Sequence, residues 1–229
     1  MEKKYEFTDE TIEVDGKILH RIRALRDLGD VKKGDLGGYI ETEENLSHED
    51  YCWVADNACI YDNALVSDKA QVFGNARVYN NARVIDYVEV YGNAKVYDDA
   101  LVFDGARIFD DAHVYESARV YYGACVYGRA EIYGETHVYG KAHVYGKAEV
   151  YDCARVFDEA RVYGKAEVYG YACVSDKAEV YDCARVFDEA RVYGKAEVYG
   201  YACVSDKAEV YRSAHVDDYN AISTGEKTR

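Results

Sequence analysis

A six-residue repeat constrains the fold of this chain more than any other feature. Every sixth residue from Val54 to Val216 is Val or Ile, at 28 positions in succession. Over the range Ala58 to Ala214 the residue two places earlier is Ala, except at Val88 and Thr136. The repeating unit reads Ala-x-Val-Tyr-(Gly/Asp)-x. Such a short period excludes helical repeats and is typical of parallel β-helices.

Strand geometry assigns a direction to each position of the hexad. Side chains alternate along a strand, so Ala and Val point to one side, which we predict to be the core. The residue between them and the following Tyr or Phe point outward. Gly, Asp or Asn then supplies a tight corner, because these residues tolerate positive φ.

The hexads resemble those of the left-handed hexapeptide β-helix. That resemblance implies left-handed winding and three hexads per triangular coil of 18 residues. We therefore predict an all-β solenoid in which Val72, Val90, Ile108 and Val126 stack along one face. About nine coils, at roughly 4.8 Å per rung, give a rod about 43 Å long.

Three segments follow from this pattern. Residues 1–50 are predicted to be a small β-rich N-terminal cap, since Val14-Asp15-Gly16-Lys17 is a hairpin signal between the strand-like runs Lys4–Phe7 and Ile18–Leu25. Residues 51–217 form the β-helix. Residues 218–229 form a polar C-terminal tail that, with Asp217, should protect the last strand from edge-to-edge pairing.

Residues 151–180 and 181–210 are identical, which indicates a tandem duplication of five hexads. Five is not a multiple of three, so each copied side chain should lie on a different face from its parent. A face-specific site in this half would have been disrupted. We therefore expect function to reside in the cap and the first coils.

Composition limits the classes of partner. The formal net charge is −15, which disfavours free DNA and anionic lipid surfaces and favours a basic protein partner. No apolar run is long enough to span a bilayer, and the first residues are too polar for a signal peptide. We expect a cytoplasmic protein, monomeric, with its seven Cys residues as thiols and without disulfides or zinc.

The hexads also raise the possibility of an acyltransferase, but no hexad is interrupted by a loop that would carry a catalytic His. His137 and His143 occupy outward positions on neighbouring faces, so we do not expect them to share a metal ion. No general base is placed beside any Cys by the spacing. We predict no catalytic residues, no cofactor and no metal site.

Two outward features allow more than one interpretation. Of the 28 positions after the core Val or Ile, 17 are Tyr and 5 are Phe. These rings can stack between coils, or they can serve in recognition. Acidic corners every 18 residues, from Asp62 to Asp206, can simply solvate the rod, or they can dock onto a basic protein that handles nucleic acid.

The segment Gly34-Asp35-Leu36-Gly37-Gly38-Tyr39-Ile40, followed by Asn45-Leu46-Ser47 and Trp53, resembles hexapeptide β-helix proteins of phages and prophages. More narrowly, the cap and the uninterrupted rod resemble a phage anti-CRISPR inhibitor of the type VI RNA-guided RNase. That resemblance implies a non-enzymatic inhibitor, which binds the effector near its guide RNA and blocks target access and activation.

If this holds, partner contacts should come from the cap and the first coils. The residues that we predict to bind are Tyr39, Glu41, Glu43, Glu44, Asn45 and Ser67. Tyr39 would stack on protein or an exposed base, and Asn45 and Ser67 would hydrogen bond to RNA. The glutamates would pair with Arg or Lys of the effector. The alternatives are a structural phage solenoid and, as the less favoured of the two, an acyltransferase.

Overall fold

The computed structural model describes residues 2–223 and the backbone of residues 227–228. The chain forms a three-sided β-solenoid of parallel strands, preceded by antiparallel strands that cover its first coil. The predicted fold class is therefore confirmed in its architecture. In the described chain the only helix is one short 3-10 turn, so no helix there is long and apolar enough to cross a membrane.

The cap is a β-hairpin with a third strand beside it. Strands β1 (Tyr5–Val14) and β2 (Lys17–Ala24) pair in antiparallel register, and β3 (Leu36–Ile40) pairs antiparallel with β2. Both residues of the predicted hairpin turn have positive φ, as a type I′ turn requires. A 3-10 helix follows at Glu43–Asn45. The cap is thus built as the hairpin signal predicted.

Each face of the rod is a parallel sheet of short strands. The first face contains Trp53–Val54, Gln71–Val72, Glu89–Val90, Arg107–Ile108, Cys125–Val126, His143–Val144, Arg161–Val162, Glu179–Val180, Glu197–Val198 and His215–Val216. The second face contains Cys59–Ile60, Arg77–Val78, Lys95–Val96, His113–Val114, Glu131–Ile132, Glu149–Val150, Glu167–Val168, Arg185–Val186, Cys203–Val204 and Ala221–Ile222. The third face contains Leu65–Val66, Arg83–Val84, Leu101–Val102, Arg119–Val120, His137–Val138, Arg155–Val156, Cys173–Val174, Arg191–Val192, Glu209–Val210 and Lys227–Thr228.

The core is the column of inward Val and Ala side chains. The predicted stack of Val72, Val90, Ile108 and Val126 is confirmed, since these residues are paired in register along the first face. All four are fully buried. The rod has ten strands per face rather than about nine, because strands form beyond residue 217, at 221–222 and 227–228.

The cap joins the rod by extending the second face. Tyr39 and Ile40 of β3 pair in parallel with Cys59 and Ile60 of the first coil. Cap and rod also share one hydrophobic core, in which Trp53 is only 2% exposed. The first open edge of this face is therefore covered by strand pairing.

Acidic corners have a structural role that the sequence did not reveal. The carboxylates of Asp56, Asp98 and Asp176 accept hydrogen bonds from backbone N–H groups one coil further on. Most corner Asp residues also have φ between 50° and 63°, the left-handed conformation that Asp tolerates. At Gly134 a Cβ would lie 2.6 Å from the carbonyl oxygen of Asp152, so this corner requires glycine.

The outward aromatic residues form stacked ladders. Ring centroids in the two long ladders are 4.7 to 5.1 Å apart, with planes tilted by 1° to 12°. One runs from Phe73 to Tyr199 and the other from Tyr61 to Phe187. The third ladder starts at Phe103 and is interrupted at Ser175. The rings therefore lie as the stacking interpretation predicted.

The duplication rotates its copied side chains around the rod, as its length of five hexads predicted. Arg155 lies on the third face, whereas its copy Arg185 lies on the second. Arg161 lies on the first face and its copy Arg191 on the third. The core is unchanged by this rotation, since Ala and Val occupy the same inward positions on every face.

Candidate functional site

Two of the predicted binding residues are buried in the cap. Tyr39 is 5% exposed, and its hydroxyl donates a 2.6 Å hydrogen bond to Oε1 of Glu10. Asn45 is fully buried, and its amide nitrogen donates 2.9 Å hydrogen bonds to the carbonyl oxygens of Asp62 and Ala64. Neither side chain has a free face for a partner. Their burial counts against stacking on Tyr39 and RNA contacts by Asn45, which stay predictions.

The predicted glutamates divide into two groups. Glu41 lies 3.3 Å from Nζ of Lys17 and accepts a 2.7 Å hydrogen bond from the backbone N–H of Asp62. Glu43 forms an ion pair with Lys3, which lowers the pKa of its carboxyl. Glu41 therefore fastens the cap to the rod, whereas the ion pair of Glu43 lies within the cap. Glu44 is exposed and remains available to a partner.

Ser67 lies at the corner after the third face, half-buried, and its hydroxyl donates a 2.7 Å hydrogen bond to Asp68. It follows Val66, which pairs with Leu46 of the cap in a parallel bridge. The structure therefore brings five of the predicted residues together at one end of the rod as parts of its cap, and it places Ser67 beside them on the first coil. Among these six, only Glu44 is both exposed and free of a described hydrogen bond or ion pair.

Asn45→Ala is expected to lower the free energy of unfolding by about 2–4 kcal/mol, because it leaves one buried and one partly buried carbonyl oxygen without donors. Its neighbour Glu44 is exposed, so Glu44→Ala should change that free energy by less than about 0.5 kcal/mol. Urea denaturation of both variants measures the difference. Equal stability of the two would show that the buried amide does not hold the cap to the rod.

A buried lysine lies close to this region and was missed in the sequence. Lys4 is fully buried, and its Nζ donates to the carbonyl oxygens of Cys52, at 2.8 Å, and Glu49, at 3.2 Å. The same nitrogen lies 3.0 Å from Sγ of Cys52. Burial lowers the pKa of Lys4 and raises that of the Cys52 thiol. A lone Lys next to a charged N-terminal run carries no periodic signal that would mark it as buried.

A cleft lies between the cap and the first face. It has a volume of about 560 Å³, within the usual range for ligand sites. Its apolar walls come from the loop before β3, from β3 itself and from the first coils, and consist of Val31, Leu36, Trp53, Ala55 and Phe73. Its polar groups are Asp30, Asp35, Asp56, Gln71 and Glu89.

The charged side chains that line this cleft are all acidic. Four carboxylates line it, and within the described chain no Lys, Arg or His does so. Asp35 and Asp56 accept hydrogen bonds from backbone N–H groups, and Glu89 pairs with Arg107 at 2.8 Å. Asp30 is exposed, and Leu36 is 51% exposed beside it. An apolar floor with an acidic rim suits a ligand that combines apolar and basic groups.

The spacing of residues along the sequence does not predict this cleft. Leu36 and Phe73 are far apart in the chain, and they meet only because β3 becomes a rung of the solenoid. The sequence did contain one indirect signal, since Leu36 lies within the Gly34–Ile40 segment that resembles other capped β-helix proteins. It gave no indication that this leucine would be exposed.

The histidines that were considered for catalysis lie on different faces. His137 belongs to the third face and His143 to the first. Burial lowers the pKa of each imidazole, and nearby arginines lower it further. Within the residues that the structure describes, no three His, Cys, Asp or Glu side chains are grouped so that they could hold a metal ion.

Comparison with known protein families agrees with the repeat architecture. A family model described as the YdcK β-solenoid repeat matches residues 70–86. The matched segment spans nearly one coil, including Gln71–Val72 on the first face and Arg83–Val84 on the third. This part of the chain is thus similar to a β-solenoid repeat of that family. A search of curated proteins found no match to the chain.

Proposed function

We propose that this chain is a non-enzymatic binding protein, a rod that takes up a basic, partly apolar segment of another protein in the cleft between its cap and its first face. The observation that carries the proposal is the cleft itself, where exposed Leu36 lies beside Asp30 and three further carboxylates. A Lys or Arg side chain of the partner would meet the acidic rim, and its apolar neighbour would cover Leu36 and Phe73.

The properties of the rod support binding rather than catalysis. Its outward side chains are held in stacked ladders and at hydrogen-bonded corners, so the surface is rigid before a partner arrives. His137 and His143 point from different faces, and Lys4 and Cys52 are buried without access to a substrate. Reaction chemistry needs a nucleophile, a base and an oxyanion donor around one point.

The narrower proposal names the partner as a type VI CRISPR effector with its guide RNA. Its support is the resemblance of Gly34–Ile40 and of the capped rod to a phage inhibitor of that RNase, together with the net charge of −15, which suits a basic effector. In this form the rod would bind the effector near its guide and block access of target RNA.

The role of the cleft in binding is tested by replacing one acidic and one apolar residue that line it with lysine. Asp30→Lys combined with Leu36→Lys should weaken partner binding by at least about tenfold, since it removes an apolar contact and introduces repulsion of a basic segment. The partner is first captured from host lysate on immobilised rod and identified by mass spectrometry. Affinity is then measured with the purified partner.

A matched control changes the same kinds of side chain far from the cleft. Glu135→Lys combined with Tyr201→Lys alters charge and apolar exposure equally, and Tyr201 is 59% exposed on a late coil. This variant should bind as the unmodified chain does. If the control loses affinity and the cleft variant keeps it, the cleft is not the site. Capture of a type VI effector would support the narrower proposal, and a captured partner of another class would end it.

A further inference from the structure

The third face has a column of basic side chains without acidic partners. Arg119, His137 and Arg155 are paired in register on successive rungs. Both arginines are exposed, and no carboxylate in the described chain lies within ion-pair distance of either. Burial and the two arginines lower the pKa of His137, so the column has two full positive charges at neutral pH.

The second face has the complementary column. Glu131, Glu149 and Glu167 are also paired in register on three successive rungs. Tyr115 and Tyr133 donate hydrogen bonds to the first two, and no described base lies within ion-pair distance of any of the three. Like charges directly opposite one another in a sheet are destabilising.

The first face shows that the repeat can neutralise such columns. There Arg107 pairs with Glu89 on the neighbouring rung at 2.8 Å, and Arg161 pairs with Glu179 at 3.3 Å. In the middle of the second and third faces the two signs instead lie on different sides of the rod, and Arg185, on the rung after Glu167, forms no described ion pair with it. Each column therefore lacks within its own chain the partner that would neutralise it.

We propose that the acidic column of the second face and the basic column of the third face bind each other between two copies of this chain. The rise per rung is the same, about 4.8 Å, in any two copies, so the two arginines of one rod, two rungs apart, meet two glutamates of the other rod at the same spacing. The two columns differ by one rung in height, and a shift of one rung aligns two parallel rods. Such an association would differ from the monomer that we expect from the sequence.

The available area is sufficient for a weak, specific contact. One side of the triangle contains six residues, or roughly 20 Å of extended chain, and contact along eight of the ten rungs of a face would span about 38 Å. The product is on the order of 700 Å², close to the ~800 Å² per partner of a typical interface. Repulsion between the two acidic rods acts over longer distances and is screened beyond about 8 Å at physiological salt.

The proposal is tested by sedimentation equilibrium with a charge exchange. The unmodified chain should show a mass above that of the monomer that rises with concentration at physiological salt and returns to the monomer at about 1 M salt. Arg119→Glu with Arg155→Glu makes both faces acidic, and Glu149→Arg with Glu167→Arg makes both basic. Each double variant alone should remain monomeric. An equimolar mixture of the two should associate again.

A matched control reverses two glutamates of the first face, Glu179→Arg with Glu197→Arg, and should associate as the unmodified chain does. Circular dichroism confirms that each variant is folded. A monomeric unmodified chain at all concentrations and salts would overturn the proposal. So would a mixture that stays monomeric, or association that the face variants leave unchanged, since that would place the contact at the ends of the rod. None of these outcomes depends on the cleft or its partner.

Discussion

Val126→Asp is expected to unfold the middle of the rod, with a loss of more than about 4 kcal/mol in the free energy of unfolding. Val126 is fully buried between Ile108 and Val144, in a column with no polar group to receive a carboxylate. Stacked coils contact only their neighbours, so the damage should begin at this rung. Urea denaturation and limited proteolysis near residue 126 provide the measurements.

The adjacent residue is the control. Cys125 precedes Val126 in the same strand, but its side chain points outward and is half-buried. Cys125→Asp should therefore cost less than about 1 kcal/mol and leave the cleavage pattern unchanged. A Val126→Asp variant as stable as Cys125→Asp would contradict the inward assignment of the Val column.

The second large effect concerns the length of a deletion rather than its position. Removing residues 181–198 joins Val180 to Tyr199, removes one complete coil and keeps every later strand on its own face. This variant should keep the solenoid fold. Removing residues 181–195 joins Val180 directly to Ala196, which eliminates a corner and shifts the later strands by half a hexad. Side chains meant for the core would then lie outside, and the last coils should unfold.

Far-UV circular dichroism and amide hydrogen exchange distinguish the two deletions. The shorter deletion should lose protection over all residues after the junction, although it removes fewer residues. The longer one should lose only the signal of the missing coil. Equal protection in both would mean that the later coils do not depend on the six-residue register.

The sequence alone was sufficient to predict the solenoid. The pattern that predicts it is local, because one Ala and one Val per hexad can be buried only on the inner side of a short strand. The same pattern recurs in every hexad. The hairpin turn of the cap was equally predictable, since Asp15 and Gly16 tolerate the positive φ that a two-residue turn needs. The predicted number of coils was less accurate, because the hexad pattern becomes irregular near residue 217 while strand pairing continues beyond it.

Only the tertiary structure decided which polar groups are free. Tyr39 and Asn45 are residue types that often bind partners. Both are buried in this structure, where β3 pairs with the first coil. The cleft beside Leu36 exists because residues distant in the chain meet where the cap joins the first face. The columns of like charge form because each coil has 18 residues and adjacent coils pair in register. This register determines which side chains are neighbours. Burial and charge at a surface depend on contacts between distant residues, and a local repeat does not contain them.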